Sequence, residues 1–223
     1  MLSKNTIQFL KALKANNDKA WMDANREAYL ASKADFEAFA AVLLAGMQAL
    51  DPDLAGLQVK DCTFRINRDV RFSANKAPYK TNMAFYLAKG GKKTVHAGYY
   101  CHVEPGGCFV AGGMWMPMPP ELKKVRQEID YNFADFKKIM AEKGFKKQFG
   151  GLQMTSETQL TRPPKGYEAD NEAIDYLRLK SFIASTPLDD AIFTGKNAVE
   201  TVLHKFMLTM PLIKFLNHAV EEA

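Results

Sequence analysis

The chain has 223 residues, 47% hydrophobic and 25% charged, with a formal net charge of +5. That is an ordinary globular composition, long enough to bury a real core in one large domain or two small ones. No run approaches the roughly 18 apolar residues of a membrane span, and the N-terminus lacks an apolar signal-peptide core and a small-residue cleavage site, so a cytoplasmic protein is expected.

The first fifty residues read as helical. Ile7, Leu10 and Leu13 recur at helical spacing, and Asn16-Asn17-Asp18 stops one helix and caps the next. Trp21, Tyr29, Phe36, Phe39, Leu43, Met47 and Leu50 carry the pattern on to Asp51-Pro52-Asp53, with a split expected near Ala31-Ser32-Lys33. From Cys62 to Met116 the period becomes two. Phe64, Ile66, Val70 and Phe72 alternate with Arg65, Asn67, Asp69 and Arg71, which predicts a strand followed by a loop from Ser73 to Pro78. Further strands are expected over 81–89, 95–103 and 108–115, separated by turns at Gly90-Gly91 and Pro105-Gly106.

Pro119-Pro120 opens a helix, and a second runs from Phe133 to Lys143, closed by Gly144. Residues 150–166 read as loop. A short helix near Asn171 to Arg178 and an apolar run over 179–184 come next. A long amphipathic helix then ends the chain, with Pro211 inside it. The fold class expected is α+β: an antiparallel sheet of four or five strands over 62–116, with 179–184 as the fifth, packed by helices in a single domain, 1–223.

Charge is concentrated. Residues 60–93 hold nine Lys or Arg against Asp61 and Asp69, a net of +7, so the rest of the chain sums to −2. If the first strand is regular, Arg65, Asn67, Asp69 and Arg71 share one face. Asp69 then holds Arg71 and leaves guanidinium donors for a phosphate or carboxylate. Lys76 and Lys80 bracket Tyr79 and would close on the same anion, Tyr79 adding a hydroxyl or a stacking face. Arg68 falls on the apolar side and needs an anionic partner or a bulge that turns it outward. The competing reading is a solvated, salt-bridged sheet face, where exposed ion pairs contribute only about 0–1 kcal/mol.

Other chemistry is poorly represented. His96, His102 and Glu104 lie on one strand face, but the two histidines stand ~20 Å apart at strand rise, so no metal site is expected. Cys62, Cys101 and Cys108 are odd in number and outside CxxC spacing, and read as reduced and structural. No phosphate-loop, dinucleotide, nucleophile-elbow or zinc-protease motif occurs, and no cofactor is implied.

The run Phe64-Arg65-Ile66-Asn67-Arg68-Asp69-Val70-Arg71-Phe72, with Lys76, Pro78, Tyr79, Lys80 and Thr81, resembles an uncharacterised family, domain-of-unknown-function family 2461. That family's pattern is F-R-I-x-R-D-x-R-F-x-x-x-K-x-P-Y-K-T. The resemblance extends to Asn16-Asn17, Trp21, Arg26 and Tyr29, to the glycine-rich stretch before Pro117, and to a helix carrying Arg126. It covers roughly Phe9 to Leu188. It implies that residues 65–81 are the family's signature, and it implies no activity, substrate or cofactor.

Three functions compete. The favoured one is a site for a small anionic ligand, phosphorylated or carboxylated, formed by Arg65, Arg68, Asp69, Arg71, Lys76, Tyr79, Lys80 and Arg126. The second is a single-stranded nucleic-acid-binding module with Tyr86, Tyr100, His96 and His102 as a stacking platform. The third is a non-catalytic interaction protein whose arginines pair with Glu27, Glu121 or Glu128.

Overall fold

The computed structural model describes residues 1–222. The fold is α+β, with ten α-helices and a four-stranded antiparallel sheet among these residues. Helices α1 (Lys4–Ala15), α2 (Lys19–Ala24), α3 (Arg26–Gln48) and α4 (Val59–Cys62) precede strands β1 (Met83–Ala88), β2 (Gly98–Val103) and β3 (Phe109–Met114). Then follow α5 (Pro119–Tyr131), α6 (Phe133–Ala141), α7 (Lys143–Phe149), α8 (Ile174–Leu177), β4 (Phe182–Pro187), α9 (Asp190–Thr194) and α10 (Ala198–Glu222). The strand order is β1-β2-β3-β4. The expected fifth strand is therefore present as β4, shifted a few residues toward the C-terminus. No helix among the described residues is long and apolar enough to cross a membrane.

The chain groups into two compact units. The first comprises Met1–Leu87, Tyr100–Val110 and Pro187–His204; the second comprises Ala88–Tyr99, Ala111–Thr186 and Lys205–Ala223. In the first unit, α1 buries Ile7, Leu10 and Leu13, spaced to form one apolar stripe. Ser3 caps this helix, and Asp18 caps α2 by accepting from the Trp21 N–H. Helix α3 buries Phe36, Phe39, Leu43 and Met47. Phe36 packs on Phe85 of β1, and Phe39 meets Phe193 of α9 edge-on.

Two expectations in this unit are corrected. No break falls at residues 31–33: Ser32 is buried within α3, and the chain bends instead at Asn25, whose side chain donates to the Trp21 carbonyl. Residues 64–72 form no strand either. They make one isolated bridge, Asn67 with Tyr79, and a second, Thr63 with Phe85, lies just before them. The physical reason is local competition for the backbone. Asp69 accepts from the Arg71 N–H and Asn75 from the Ala77 N–H, giving the chain an alternative to the ladder.

In the second unit, Tyr99 packs on Phe206, and Phe136 packs on Tyr176 and Phe215. Gly144 does not close α6. Glu142 caps a new helix, α7, through the Phe145 N–H, and the end of α7 is left to Gly150 at φ +73°. Gly112 and Gly113 bring β3 close to its neighbours. A Cβ on Gly112 would collide with Thr209, and one on Gly113 with the Phe182 carbonyl oxygen. Gly113 also sits at φ +131°, a conformation that L side chains rarely adopt. Gly113→Ala is therefore expected to lower unfolding free energy by at least about 2 kcal/mol, read from urea denaturation.

Candidate functional site

The charged segment is held by side-chain and backbone bonds within the first unit. Tyr79 N–H donates to Asn17 Oδ1 at 3.1 Å, and Asn17 Nδ2 donates to the Tyr79 carbonyl at 3.0 Å. The Asn17 amide thus stands where a neighbouring strand's peptide would. Lys80 N–H donates to the Ile66 carbonyl and Arg68 N–H to the Pro78 carbonyl, pinning residues 66–68 against 78–80. Ile66 and Tyr79 supply the buried side chains that anchor this pairing.

The predicted site residues divide by what they already bond. Arg68 is a staple: Nη1 donates to the Ala77 carbonyl at 2.9 Å and Nη2 to Ser73 Oγ at 3.2 Å. Its position on the apolar side is thus resolved by neutral acceptors, not by an anion. Lys76 Nζ donates to the Val70 carbonyl. Arg71 and Asp69 form the expected two-bond pair, Nε to Oδ1 at 3.0 Å and Nη2 to Oδ2 at 2.7 Å. Those bonds from Arg71 hold the Asp69 carboxyl below its usual value. Tyr79 is 9% exposed and offers no stacking face.

Arg65 and Lys80 remain. Neither side chain has a hydrogen bond or ion pair among the described residues, and the two lie near enough to repel. Burial, with the Arg65 charge added to it, pulls the Lys80 amine below the ordinary lysine value. Lys80 Nζ stands over the Phe64 ring, 5.4 Å from its centroid. Phe64 is 38% exposed. Arg65 thus lies within electrostatic range of both Lys80 and Asp69, with Arg71 on the same segment.

Arg126 belongs to the second unit. Its Nη2 donates to the Leu179 carbonyl at 3.0 Å, and its Nε is buried without a hydrogen-bond partner. Burial pulls its guanidinium below the ordinary arginine value. Glu27, Glu121 and Glu128 pair with no arginine; the ion pair that an arginine makes among the described residues is Arg71–Asp69.

A hydrogen-bonded chain beside Lys80 completes the site. Tyr100 and His102 share one face of β2 because they alternate along the strand, and Glu104 continues that alternation just past its end. Tyr100 Oη lies 3.0 Å from His102 Nδ1, and His102 Nε2 lies 3.3 Å from Glu104 Oε2. Asn82 Nδ2 lies 3.3 Å from the same His102 Nδ1. Thr81 Oγ1 donates to Glu104 Oε1 at 2.6 Å, and Lys14 Nζ is 3.6 Å from that oxygen. The His102 ring stacks on Phe109 at 4.7 Å, and Tyr100 packs against both Phe109 and Phe64.

Burial pushes the Tyr100 hydroxyl up to about 12. Burial lowers His102, against the pull of Glu104, so the ring is neutral at pH 7 and the contact with Glu104 is a hydrogen bond to a carboxylate. Burial alone would raise Glu104, but bonds from Thr81 and His102 and the Lys14 charge bring it net below its usual value. Sequence reasoning placed Tyr100 and His102 in a stacking platform and missed Asn82. The alternation of Tyr100, His102 and Glu104 was the available signal. As a platform the set fails: Tyr86 is largely covered, and His96 is bonded to Thr94 and Glu221 in the second unit.

An open groove of the first unit is lined by Lys11, Lys14, Ala15, Pro105, Gly106 and Asp190 and contains none of the eight predicted site residues. Among the described residues no group of three or more His, Cys, Asp or Glu is placed to hold a metal ion, and Cys62, Cys101 and Cys108 are buried free thiols.

Fold and site together define an α+β protein with a cationic segment clipped beside a Tyr-His-Glu chain. The chain belongs to the DUF2461 family of conserved hypothetical proteins, whose model matches residues 5–215. No curated protein and no solved structure matches it.

The two kinds of arginine separate experimentally. Arg68→Ala leaves the Ala77 carbonyl and Ser73 hydroxyl without their donor, and is expected to cost about 1–3 kcal/mol and to speed amide exchange across 69–78. Arg65→Ala is expected to change stability by less than about 0.5 kcal/mol. Acid separates His102 from its surroundings. His102 and Glu104 both have folded-state values below their unfolded ones, so as pH falls the unfolded chain takes up protons first, and stability present above the unfolded values is lost. The unfolding midpoint is expected to drop more steeply from about pH 7.5 to about pH 5 in the wild type than in His102→Gln, which lacks the histidine term.

Proposed function

We propose that the first unit binds a small anion, the phosphate or carboxylate of a larger ligand, between Arg65 and Lys80. The observation that carries this reading is the cation pair itself. Every other cation of residues 65–80 bonds a carbonyl, a hydroxyl or Asp69, while Arg65 and Lys80 repel each other through space, hold no carboxylate by a hydrogen bond or ion pair among the described residues, and have only the more distant pull of Asp69 on Arg65. A phosphate there would relieve the repulsion and receive Arg65 as a planar fork and Lys80 as a point charge. Arg71, oriented by Asp69, retains one guanidinium nitrogen for the same ligand. The Phe64 ring beneath Lys80 adds an apolar floor.

A nucleic-acid strand is the second reading, favoured by one feature: Phe72 is 96% exposed on the same segment, with the Arg71 guanidinium 5.8 Å from its ring centroid.

The test is thermal unfolding of the wild type and of Arg65→Ala/Lys80→Ala with inorganic phosphate, nucleotides or short single-stranded DNA. At tenfold excess over Kd, a bound anion stabilises by about 1.4 kcal/mol, a rise of roughly 3–6 °C for a chain of this size. That rise is expected in the wild type and absent in the double variant. A shift with DNA alone that vanishes steeply with added salt selects the strand reading instead. No shift with any of these probes refutes the anion reading.

A further inference from the structure

The hydrogens along Tyr100, His102 and Glu104 run in one direction, and that direction restricts what can sit beside the cation pair. Glu104 is ionised at neutral pH, so the proton of a neutral His102 ring resides on Nε2, 3.3 Å from Glu104 Oε2. His102 Nδ1 is then an acceptor. Two donors meet it: Tyr100 Oη at 3.0 Å and Asn82 Nδ2 at 3.3 Å. The ring nitrogen has one lone pair, and the nearer donor, Tyr100 Oη, takes it, which commits the Tyr100 hydrogen to the imidazole. The phenol oxygen keeps its lone pairs, and the Asn82 carbonyl oxygen has no hydrogen-bond partner among the described residues. Beside Arg65 and Lys80, which only donate, stand two oxygens that only accept.

Position ties the two halves together. Phe64 precedes Arg65 in the chain, carries Lys80 over its ring and packs edge-on against Tyr100 with centroids 6.3 Å apart. The Lys80 charge also contributes to holding His102 neutral. A ligand on Arg65 and Lys80 therefore has Tyr100 as its neighbour across one ring.

We propose that the ligand is an anion that also carries a hydroxyl, such as a polyol or sugar phosphate, and that Tyr100 Oη accepts a hydrogen bond from that hydroxyl. This inference rests on the anion site proposed above and adds its specificity. Tyr100 is the specificity-determining residue. His102 and Glu104 are positioning residues that act through it. Tyr100→Phe removes the acceptor while keeping the ring that packs on Phe64 and Phe109.

The test compares glycerol 3-phosphate, propyl phosphate and inorganic phosphate by calorimetric titration of the full chain. The wild type is expected to bind glycerol 3-phosphate about three- to tenfold tighter than propyl phosphate, the advantage of one net hydrogen bond. Tyr100→Phe is expected to bring that ratio to about one with propyl phosphate affinity kept within about twofold. Equal affinities in the wild type, with phosphate still bound, overturn this inference and leave the anion site standing. No binding of any of the three refutes the anion site and this inference with it. A readout independent of any ligand is the tautomer of His102 by long-range nitrogen NMR. A proton on Nε2 is expected, and a proton on Nδ1 overturns the assignment of Tyr100 as acceptor.

Discussion

The two hydrogen bonds between the Asn17 amide and the backbone of Tyr79 are the constraint on which the candidate site depends. A segment with this much like charge repels itself, and its own pairing of residues 66–68 with 78–80 gains an anchor from outside it. Asn17 supplies a donor and an acceptor at strand-like spacing, sixty-two residues away in the chain. With Tyr79 fixed, Asn67 can bridge to it, and the Arg68 guanidinium can reach the carbonyl of Ala77. The positive charge of the segment is thereby divided into cations that build the loop and cations that the loop presents.

That division changes how the arginines are to be weighed. Counting nine basic residues over 60–93 suggests one broad basic face. The geometry leaves a smaller set. An arginine whose donors meet a carbonyl and a hydroxyl keeps its charge but has fewer donors left for a ligand, and its loss strands acceptors within the loop. An exposed arginine with no partner behaves in the opposite way. Holding the loop falls to Arg68, and the ligand contact proposed above falls to Arg65, a residue of the same type three positions away.

The α+β class was legible in the sequence, because α1, α3 and α5 carry apolar residues at helical spacing, β2 alternates, and β1 and β3 are short, largely apolar runs set off by glycine-containing turns. The failures share a cause. Residues 64–72 alternate as a strand would, but Asp69 and Asn75 capture nearby amides, a local effect that a hydropathy pattern does not contain. Gly144 was read as a helix stop, whereas Glu142 caps a fresh helix there and the missing Cβ admits Leu208. At the site, the pair of Asp69 and Arg71 was legible because it is local in sequence. The clip by Asn17 and the junction of Asn82 with His102 were not, since both join residues twenty or more positions apart.

The amine of Lys80 has a consequence for covalent chemistry. Acylating reagents attack the unprotonated form, and the fraction of an amine in that form grows tenfold for each unit by which its acidity increases. Lys80 is shifted in that direction by burial and by Arg65, whereas Lys19, paired with Asp23, is shifted the other way. Under sparing treatment with an acetyl donor, Lys80 and Lys205, both shifted by burial toward the free amine, would be marked ahead of Lys19, and occupancy by an anion would shield Lys80 alone. A surface as rich in lysine as this one thus contains its own reporter of whether the site is filled.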